Sequence, residues 1–390
     1  MNESRRDFFK KTAAASVGLS LSSSFLSCHA ASESTAQGTA APTPIWRNKQ
    51  EGMHYRMLGR TGMMVSELVI GSYPFHDPKS FPVLDEQIRC GINYIDAASA
   101  YGKGKVEPNL GQYFKERGTR DQMFIATKLS SYFGVVATAL NKYEANLTDA
   151  EKKALRDEAD TLIAERGVLR PGYHINYFGG QDKQVSRTYY RYVVLKAAGL
   201  KDGLKEEIKT NTRRLLSEAL EKLQVDTIDV LFCPHGNAMP DILDEPVLSE
   251  LFTEFKQEGW ISASAVSFHN DVGNNLRKVI DVGYYDVAMF AYNIANQGVM
   301  ERLILEANRA GIGTIAMKVA RLFSMENQPA WRQAKLETSI PGTELSIHAK
   351  AFLWALQNPD LSCAVCQMET LEHVKENVSI TGRKVDLQPV

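Results

Sequence analysis

Four side chains capable of acid–base chemistry lie at or just after the ends of apolar stretches in the sequence. Asp96 ends INYID, and Tyr101 comes five residues later. Lys128 ends FIATK, and His235 follows DVLFCP. Each alone has a structural explanation, since an aspartate can cap a helix, a lysine can end a strand in solvent and a histidine can lie in the core. Four of them at or after the ends of three successive stretches are harder to explain by structure alone, so we treat them as one candidate site.

These four groups suit reactions of a carbonyl group. A phenol has a pKa of about 10, so Tyr101 needs assistance to release its proton near neutrality. An ammonium such as that of Lys128 lowers this pKa, and a carboxylate such as Asp96 keeps the ammonium charged and in place. An imidazole can donate a hydrogen bond to a carbonyl oxygen that is becoming an alkoxide. The set supplies a proton and an oxyanion site but no hydride, which a cofactor has to bring.

The composition is that of an ordinary globular protein without pronounced charge. The chain has 390 residues, 44% hydrophobic and 23% charged, enough for one large core or two smaller ones. A formal net charge of −1 provides no broad positive field, which argues against nucleic acid or an anionic membrane surface as a partner. Five cysteines without repeated spacing argue against a disulfide framework. We interpret Cys363 and Cys366, spaced C-x-x-C in an apolar run, as a buried structural pair, with redox or metal chemistry as the alternative.

Residues 1–28 have the pattern of an export signal. Arg5 and Arg6 precede two phenylalanines and a weakly apolar, serine-rich stretch, which predicts a signal of the twin-arginine type. Cleavage before Cys28, in FLSC, would leave a thiol for lipid, so a periplasmic lipoprotein tethered to the membrane is one expectation. A soluble exported product, cut two or three residues further on, is the other. Residues 29–52 begin with small and polar residues and prolines and predict a flexible linker.

From residue 53 to residue 390, strand-like and helix-like segments alternate. The strand-like segments are 65–73, 92–98, 123–129, 227–234, 261–269, 284–293, 311–319 and 362–368. The helical segments are 81–90, 107–117, 203–223, 246–258, 271–282, 298–310, 344–357 and 371–379. Near-continuous apolar runs, each followed by a helix, predict a (β/α)8 TIM barrel. A doubly wound sheet is the alternative, disfavoured because no G-x-G-x-x-G follows an early strand.

One connection is far longer than the others. Residues 130–202 separate the third predicted strand from its helix, and they include a predicted helix that begins at a capping box, Thr148 and Glu151, and ends at Gly167. Because this insertion leaves a barrel strand at its C-terminal end, we expect it to lie over the active-site face and to set substrate choice rather than chemistry. Its later part is rich in tyrosine: Tyr173, Tyr177, Tyr189, Tyr190 and Tyr192. These rings could stack on a sugar, or they could pack the insertion onto the barrel.

Eight ordered segments over roughly residues 53–380 resemble the motifs of the aldo/keto reductase superfamily. They include YRMLGRTGMMVSELVIGSY for the opening hairpin and first strand, YIDAASAYGKGKVEPNLGQYFK for the second strand and GWISASAVSFHN for the fifth. Members of that superfamily are (β/α)8 barrels that transfer a hydride between a nicotinamide dinucleotide and a carbonyl or alcohol. The resemblance implies a catalytic tetrad made of Asp96, Tyr101, Lys128 and His235. Tyr101 would be the general acid, and Asp96 would pair with Lys128.

The same resemblance assigns a cofactor site, with departures from the usual pattern. The residues it assigns are Ser267, Met317, Lys318, Arg321, Gln367, Glu376 and Asn377. Ser267 matches a contact with the nicotinamide carboxamide, whereas Met317 and Lys318 replace an aromatic–serine pair, which removes the usual ring for stacking. Acidic residues near Gln367 argue against a second phosphate, so NAD or NADP is expected, with NAD slightly favoured. VSFHN and AMK resemble a branch that carries an iron–sulfur module, but the four-cysteine run is missing, so no cluster and no metal site are expected.

The leading interpretation is therefore an exported oxidoreductase that acts on a small carbonyl or alcohol, possibly a sugar, and has no nucleic-acid partner. A noncatalytic cofactor-binding or sensor protein on the same barrel is the second interpretation, which the complete tetrad disfavours. A barrel hydrolase or isomerase would need a second pocket carboxylate or a metal, for which the sequence has no suitable ligand spacing. No motif indicates an oligomeric state.

Overall fold

Parallel strands form the centre of the molecule. The computed structural model describes residues 42–342 and 344–389, and the predicted export signal, residues 1–28, lies outside them. Eight strands each pair in parallel with the next along the chain, and the last pairs with the first, which closes a barrel. Helices lie between the strands in the sequence. The structure thus confirms the predicted (β/α)8 TIM barrel.

The barrel strands coincide with the predicted apolar runs, whereas a short strand at Ile45–Trp46 lies within residues 29–52, which the sequence predicted as a flexible linker. In chain order they are β1 (Ile45–Trp46), β2 (Tyr55–Met57), β3 (Met63–Ser66), β4 (Leu68–Gly71), β5 (Tyr94–Asp96), β6 (Phe124–Lys128), β7 (Ile228–Phe232), β8 (Ile261–Phe268), β9 (Val287–Ala291), β10 (Gly313–Met317) and β11 (Cys363–Cys366). The first three form a small sheet in the order β1-β3-β2, and β4 to β11 form the barrel. The barrel strands are shorter than predicted, because residues at both rims leave the hydrogen-bonded ladder for the loops.

The predicted helices are all present, within three residues of their predicted ends. The helices of the described residues are α1 (Phe81–Arg89), α2 (Val106–Arg117), α3 (Tyr132–Glu144), α4 (Asp149–Arg166), α5 (Gln181–Ala198), α6 (Asp202–Leu223), α7 (Pro246–Gln257), α8 (Val272–Val282), α9 (Gln297–Arg309), α10 (Ala330–Ser339), α11 (Ile347–Leu356) and α12 (Leu371–Val378). The sequence did not predict α3, α5 and α10. The buried face of α5 mixes glutamine, threonine and tyrosine with valine, which obscures its apolar period.

The β2–β3 hairpin closes the N-terminal end of the barrel. Leu58, between the two strands, is fully buried among side chains of the barrel interior. Gly59 has φ +52°, and a Cβ there would collide with the backbone of Gly313 at the start of β10. Only glycine allows this conformation and this approach without strain, so the hairpin can pack directly against the barrel.

The run predicted as one strand at 65–73 is divided between the hairpin and the barrel. Glu67 lies at the break, 1% exposed, and its carboxylate accepts a hydrogen bond from Arg56 Nε at 2.7 Å. Its backbone N–H donates to the His54 carbonyl oxygen at 3.0 Å instead of joining the barrel ladder. A buried carboxylate needs such partners, and these contacts hold the chain where it passes from one sheet to the other.

The insertion, residues 130–202, consists mainly of α3, α4 and α5. As predicted, α4 begins at a capping box between Thr148 and Glu151 and ends at Gly167, which has φ 56°. α4 packs against α5, and α3 packs against α6. Within the range that the structure describes, no helix is both long enough and apolar enough to cross a membrane.

Candidate active site

The predicted tetrad comes together at the C-terminal end of the barrel strands, which we call the mouth. Asp96 ends β5 and Lys128 ends β6, the neighbouring strand. The Lys128 ammonium donates to an Asp96 carboxylate oxygen and, at 2.9 Å, to the Ala97 carbonyl oxygen. Asp96 is 2% and Lys128 1% exposed. Charges removed from water in this way require close partners, so the two side chains form a buried ion pair.

Tyr101 reaches the same ammonium from the loop after β5. Its ring centroid lies 4.9 Å from Lys128 Nζ. Tyr73, which follows β4, packs edge-on against this ring with the centroids 5.4 Å apart. The turn at Tyr101 depends on Gly102, which has φ +56° and where a Cβ would lie 2.6 Å from the His76 side chain. The loop therefore holds the phenol against the ion pair.

Burial raises the pKa of Tyr101, and Lys128 offsets this only in part. The sequence led us to expect a lowered pKa; that expectation is wrong because desolvation of a phenolate here outweighs the attraction of the ammonium. Burial alone would lower the pKa of Lys128, but Asp96 and Tyr101 outweigh it and raise that pKa. Burial raises the pKa of Asp96, against the charge of Lys128. Tyr101 thus keeps its proton at neutral pH beside a cation that can stabilise the phenolate.

His235, just after β7, is a neutral imidazole near pH 7. Burial, followed by the charge of Lys128, lowers the pKa of His235 well below its usual value. Its Nδ1 lies 2.8 Å from the Ser130 hydroxyl oxygen. When that hydroxyl donates to Nδ1, the ring proton is on Nε2, from which it can donate to a carbonyl oxygen. Sequence reasoning missed Ser130, although its position two residues after Lys128 was a usable signal.

Ser267 is buried in the mouth at the end of β8. The alternation along β8, with Ala263 and Ala265 in the barrel interior, directs its side chain inward. Its Oγ accepts the Gly236 backbone N–H at 3.3 Å, and it is 1% exposed. No described acceptor takes its hydroxyl proton, so the hydroxyl can donate to an oxygen such as that of a carboxamide.

Two cations follow β10 at the same end of the barrel. Burial, with the charges of Arg321 and Lys128, lowers the pKa of Lys318 to about 8. None of the ion pairs found among the described residues involves Lys318 or Arg321. The insertion contacts both: Arg321 Nε donates to the Tyr177 carbonyl oxygen at 3.2 Å, and Lys318 Nζ lies 5.5 Å from the Phe178 ring centroid. An anion such as phosphate would complete this pair of cations.

The other residues assigned to the cofactor form no hydrogen bond with the tetrad. Met317 is partly buried and packs against the barrel interior. Gln367 is exposed and donates to a neighbouring glutamate at 2.8 Å. The Glu376 carboxylate accepts the Ser346 N–H at 2.8 Å and its hydroxyl at 2.9 Å, which ties the start of α11 to α12. Asn377, 7% exposed, donates to a carbonyl oxygen of its own helix at 2.8 Å. The structure thus gives Glu376 and Asn377 internal contacts that the sequence did not predict.

Most tyrosines of the insertion serve packing. Tyr177 is 2% exposed, Tyr189 0% and Tyr192 6%. The Tyr177 hydroxyl accepts a hydrogen bond from Asn293 Nδ2 at 2.9 Å, and the Tyr173 hydroxyl donates to an Asp271 oxygen at 2.5 Å. The three buried rings have no free face for a sugar, so the packing alternative is correct for them.

The C-x-x-C pair lies on β11 in the core. Cys363 is 0% and Cys366 1% exposed, both thiols are free, and burial raises the pKa of each. Reactive cysteines are partly exposed and have a lowered pKa, so these thiols fit the structural interpretation. In residues 42–342 and 344–389, no group of three or more His, Cys, Asp or Glu side chains could hold a metal ion.

A buried histidine at the mouth, His269, is expected to make the stability of the protein sensitive to acid. His269, after β8, packs edge-on against Phe178 with the centroids 4.8 Å apart, and its Nε2 lies 3.0 Å from Gln184 Oε1. Burial, with the charges of Lys318 and His174, lowers the pKa of His269 to about 3. Between that pH and the ordinary pKa of about 6.5, only the unfolded chain binds this proton, so stability falls as the pH falls below about 6.5. From pH 7 to pH 5 we expect His269 to remove about 2 kcal/mol from the free energy of unfolding.

Urea unfolding of the wild type and of His269→Gln at both pH values measures this effect. Glutamine keeps a hydrogen-bond donor but does not titrate, so the variant is expected to lose about 2 kcal/mol less than the wild type on going from pH 7 to pH 5. The comparison cancels the carboxylates that also titrate in this window. An equal loss in both proteins would show that His269 is not held neutral.

Comparison with known sequences supports the resemblance to aldo/keto reductases that the motifs indicate. The sequence model of the Aldo/keto reductase family matches residues 66–165. The uncharacterized oxidoreductase YqkF of Bacillus subtilis (strain 168) is 24% identical over 287 residues, 69% of this chain and 89% of that protein. YrpG of the same organism is 36% identical over 86 residues, 20% of this chain and 26% of that one. An aryl-alcohol dehydrogenase (NADP(+)) of Phanerodontia chrysosporium is 32% identical over 102 residues, and the chain spans 26% of its length.

Solved structures share the barrel. The holo form of an aldo-keto reductase from Bacillus halodurans superposes with a TM-score of 0.54 at 22% identity, over 85% of this chain and 92% of that one. An aldo/keto reductase from Klebsiella pneumoniae, solved in complex with NADP and acetate, has a TM-score of 0.55 at 14% identity, over 85% and 90%. At these identities the likeness shows the fold alone. The family match over the first three barrel strands, a relative matched over 69% of the chain and the barrel itself support the assignment of the chain to the aldo/keto reductase superfamily.

Proposed function

We propose that the protein is a nicotinamide-dependent oxidoreductase that transfers a hydride between NAD(P) and a small carbonyl or alcohol. The observation that carries this proposal is the position of Lys128, whose ammonium contacts the Asp96 carboxylate and lies 4.9 Å from the Tyr101 ring centroid at the mouth. A protonated phenol beside a buried ammonium is a proton donor whose conjugate base is stabilised in advance. A carbonyl that receives a hydride needs this combination.

In the reducing direction, bound NAD(P) would supply the hydride. Tyr101 donates its proton to the carbonyl oxygen, and Lys128 stabilises the phenolate that remains. His235 donates a hydrogen bond from Nε2 to the same oxygen as negative charge develops there. Asp96 keeps Lys128 charged and in place throughout. In the oxidising direction the phenolate accepts the proton of the alcohol.

The residues at the mouth suit a dinucleotide. Ser267 has a hydroxyl proton available for a carboxamide oxygen. Lys318 and Arg321 are cations without a carboxylate partner among the described residues, as a phosphate site requires. Near Gln367, the exposed Glu369 disfavours a further phosphate, so we favour NAD over NADP for this chain.

Purified protein incubated with NADH or NADPH and a panel of aldehydes and ketones tests the proposal. We expect the absorbance of the reduced nicotinamide to fall, faster with NADH than with NADPH. Binding of dinucleotide without turnover of any carbonyl would favour the alternative, a cofactor-binding sensor. If the protein neither binds the dinucleotide nor turns over any carbonyl, the proposed oxidoreductase function is refuted.

We further propose that the insertion, residues 130–202, covers the mouth and sets substrate choice. Its hydrogen bonds to Asn293 after β9 and to Asp271 after β8 support this placement. A sugar is the weaker candidate substrate, because the rings that would stack on it are largely buried. A small carbonyl that fits beneath the insertion is the stronger one.

We also propose that the protein is exported through the twin-arginine pathway. Replacing Arg5 and Arg6 by lysine is expected to leave the precursor in the cytoplasm, as measured by cell fractionation and immunoblotting. Replacing Lys10 and Lys11 by arginine is the matched control, because it conserves charge in the same segment outside the arginine pair. Normal export of the double lysine variant would contradict the proposal. In the same fractionation, Cys28→Ala should release a lipid-anchored protein and leave a soluble one unchanged.

A further inference from the structure

One side chain of the insertion connects two loops at the mouth. Gln184 lies in the first turn of α5, and its Nε2 donates to the Gly236 carbonyl oxygen at 3.0 Å. Its Oε1 accepts from Asn270 Nδ2 at 3.3 Å and lies 3.0 Å from His269 Nε2. Gly236 follows β7, and His269 and Asn270 follow β8. Gln184 therefore joins the ends of two neighbouring barrel strands.

The partners fix the orientation of the Gln184 amide. The Gly236 carbonyl oxygen can only accept, so it must face the amide nitrogen. Gln181 Nε2 donates to Asn270 Oδ1 at 2.8 Å, which directs the Asn270 nitrogen toward Gln184 Oε1. His269 is neutral near pH 7 and can donate from Nε2 to the same oxygen. Each of these polar atoms thus has a complementary partner in a single arrangement.

The backbone at Gly236 is adapted to this contact. Gly236 has φ +67°, and a Cβ there would lie 2.7 Å from Gln184 Nε2. A larger residue would be strained and would also displace the amide. The two positions are 52 residues apart in the sequence, so a barrel loop and the insertion match each other at this point.

Both loops that Gln184 connects carry residues of the proposed active site. His235 directly precedes Gly236, and the Gly236 N–H donates to Ser267 Oγ at 3.3 Å. Ser267 in turn lies two residues before His269. Gln184 therefore fixes the loop after β7, which carries His235, relative to the end of β8, which carries Ser267.

We infer that Gln184 is a positioning residue, through which the insertion holds His235 and Ser267 in the relative positions that catalysis needs. The inference rests on the proposed function and deepens it, because the insertion then completes the active site instead of only selecting the substrate. Gln184 acts through the backbone of Gly236 and the ring of His269. Small displacements of groups at a reacting centre lower rates strongly, so this connection is expected to affect turnover.

Two variants of similar size separate the contact of Gln184 with Gly236 from its contacts with His269 and Asn270. Gln184→Glu keeps an acceptor for His269 and Asn270 but places a carboxylate oxygen against the Gly236 carbonyl, where the two oxygens repel each other. Gln184→Met keeps the length of the side chain and removes all three hydrogen bonds. Lys183→Ala, at the adjacent exposed position, is the matched control.

We expect Gln184→Glu to lower kcat about tenfold with a nearly unchanged Kd for NADH, because only the loop after β7 loses its partner. Gln184→Met is expected to lower kcat and to raise the Kd for NADH, each about tenfold, because both loops are released. Histidine side-chain NMR provides a readout independent of activity. The ring signals of His235 should shift in both variants, and the carboxylate of Gln184→Glu should raise the pKa of His269. Lys183→Ala should leave all of these quantities unchanged.

Unshifted His235 ring signals in both Gln184 variants would overturn the inference, whatever the activity. So would values of kcat and Kd that match those of Lys183→Ala. If Gln184→Met does not fold, Gln184→Glu alone decides between these outcomes. A wild-type protein that neither binds NADH nor reduces a carbonyl refutes the proposed function instead, while the His235 signals still report on Gln184.

Discussion

Tyr101→Phe is expected to lower kcat by about 10²–10⁴-fold, the range that a positioned general acid contributes. The phenylalanine ring can keep the edge-on contact with Tyr73 and the position near Lys128 Nζ, at 5.4 and 4.9 Å from the ring centroid in the wild type. It has no proton to donate, so only the chemical step should suffer. Fold and dinucleotide affinity should be unchanged. Steady-state kinetics on an accepted carbonyl, with a fluorescence titration of NADH, measures both.

Tyr73→Phe is the matched control for this experiment. The Tyr73 side chain is 60% exposed and packs against the Tyr101 ring. Removing its hydroxyl tests the effect of a nearby substitution while the proposed proton donor stays in place. We expect little change in kcat. Wild-type turnover by Tyr101→Phe would exclude Tyr101 as the acid. An equal loss in both variants would point to ring packing instead of proton transfer.

The tetrad could be predicted from the sequence because of the topology of a parallel barrel. Asp96 and Lys128 each end an apolar run, and His235 follows one. In a closed parallel barrel the C-terminal ends of the strands all lie at one rim, so correct strand ends are sufficient to bring these side chains together. Errors of two or three residues in the strand boundaries did not matter, because the candidate residues lie where the apolar runs stop.

Contacts made from the insertion to the candidate site could not be predicted in the same way. Gln184 contacts His269 across 85 residues, and Ser130 contacts His235 across 105. Glutamine and serine carry no periodic signal, and their contacts depend on where the insertion packs in the folded chain. The sequence also led to the wrong direction for the shift in the pKa of Tyr101. That shift depends on burial by side chains that only the folded chain brings together.

Lys128→Met is expected to lower the free energy of unfolding at pH 7 by about 3–5 kcal/mol, the cost of leaving one partner of a buried ion pair. Asp96 is 2% exposed and would then be a carboxylate without its counter-ion. Methionine has nearly the shape of the lysine stem, so the loss would reflect charge more than packing. Urea unfolding of the wild type and the variant measures the difference, and turnover should be lost as well because the phenolate of Tyr101 is no longer stabilised.

The surface pair of Lys153 and Asp157 provides the matched control. Their side chains are 73% and 60% exposed, so Lys153→Met should change stability little.

The pH dependence identifies the cause of the loss in Lys128→Met. Burial without Lys128 raises the pKa of Asp96 in the folded state above its value in the unfolded chain, so the folded state binds the extra proton and the deficit shrinks as the pH is lowered. Adding Asp96→Asn removes the isolated charge, and the double variant is expected to recover a large part of the lost stability at pH 7 while remaining inactive. A double variant as unstable as Lys128→Met, with a deficit that does not depend on pH, would mean that shape and not charge holds this part of the mouth together.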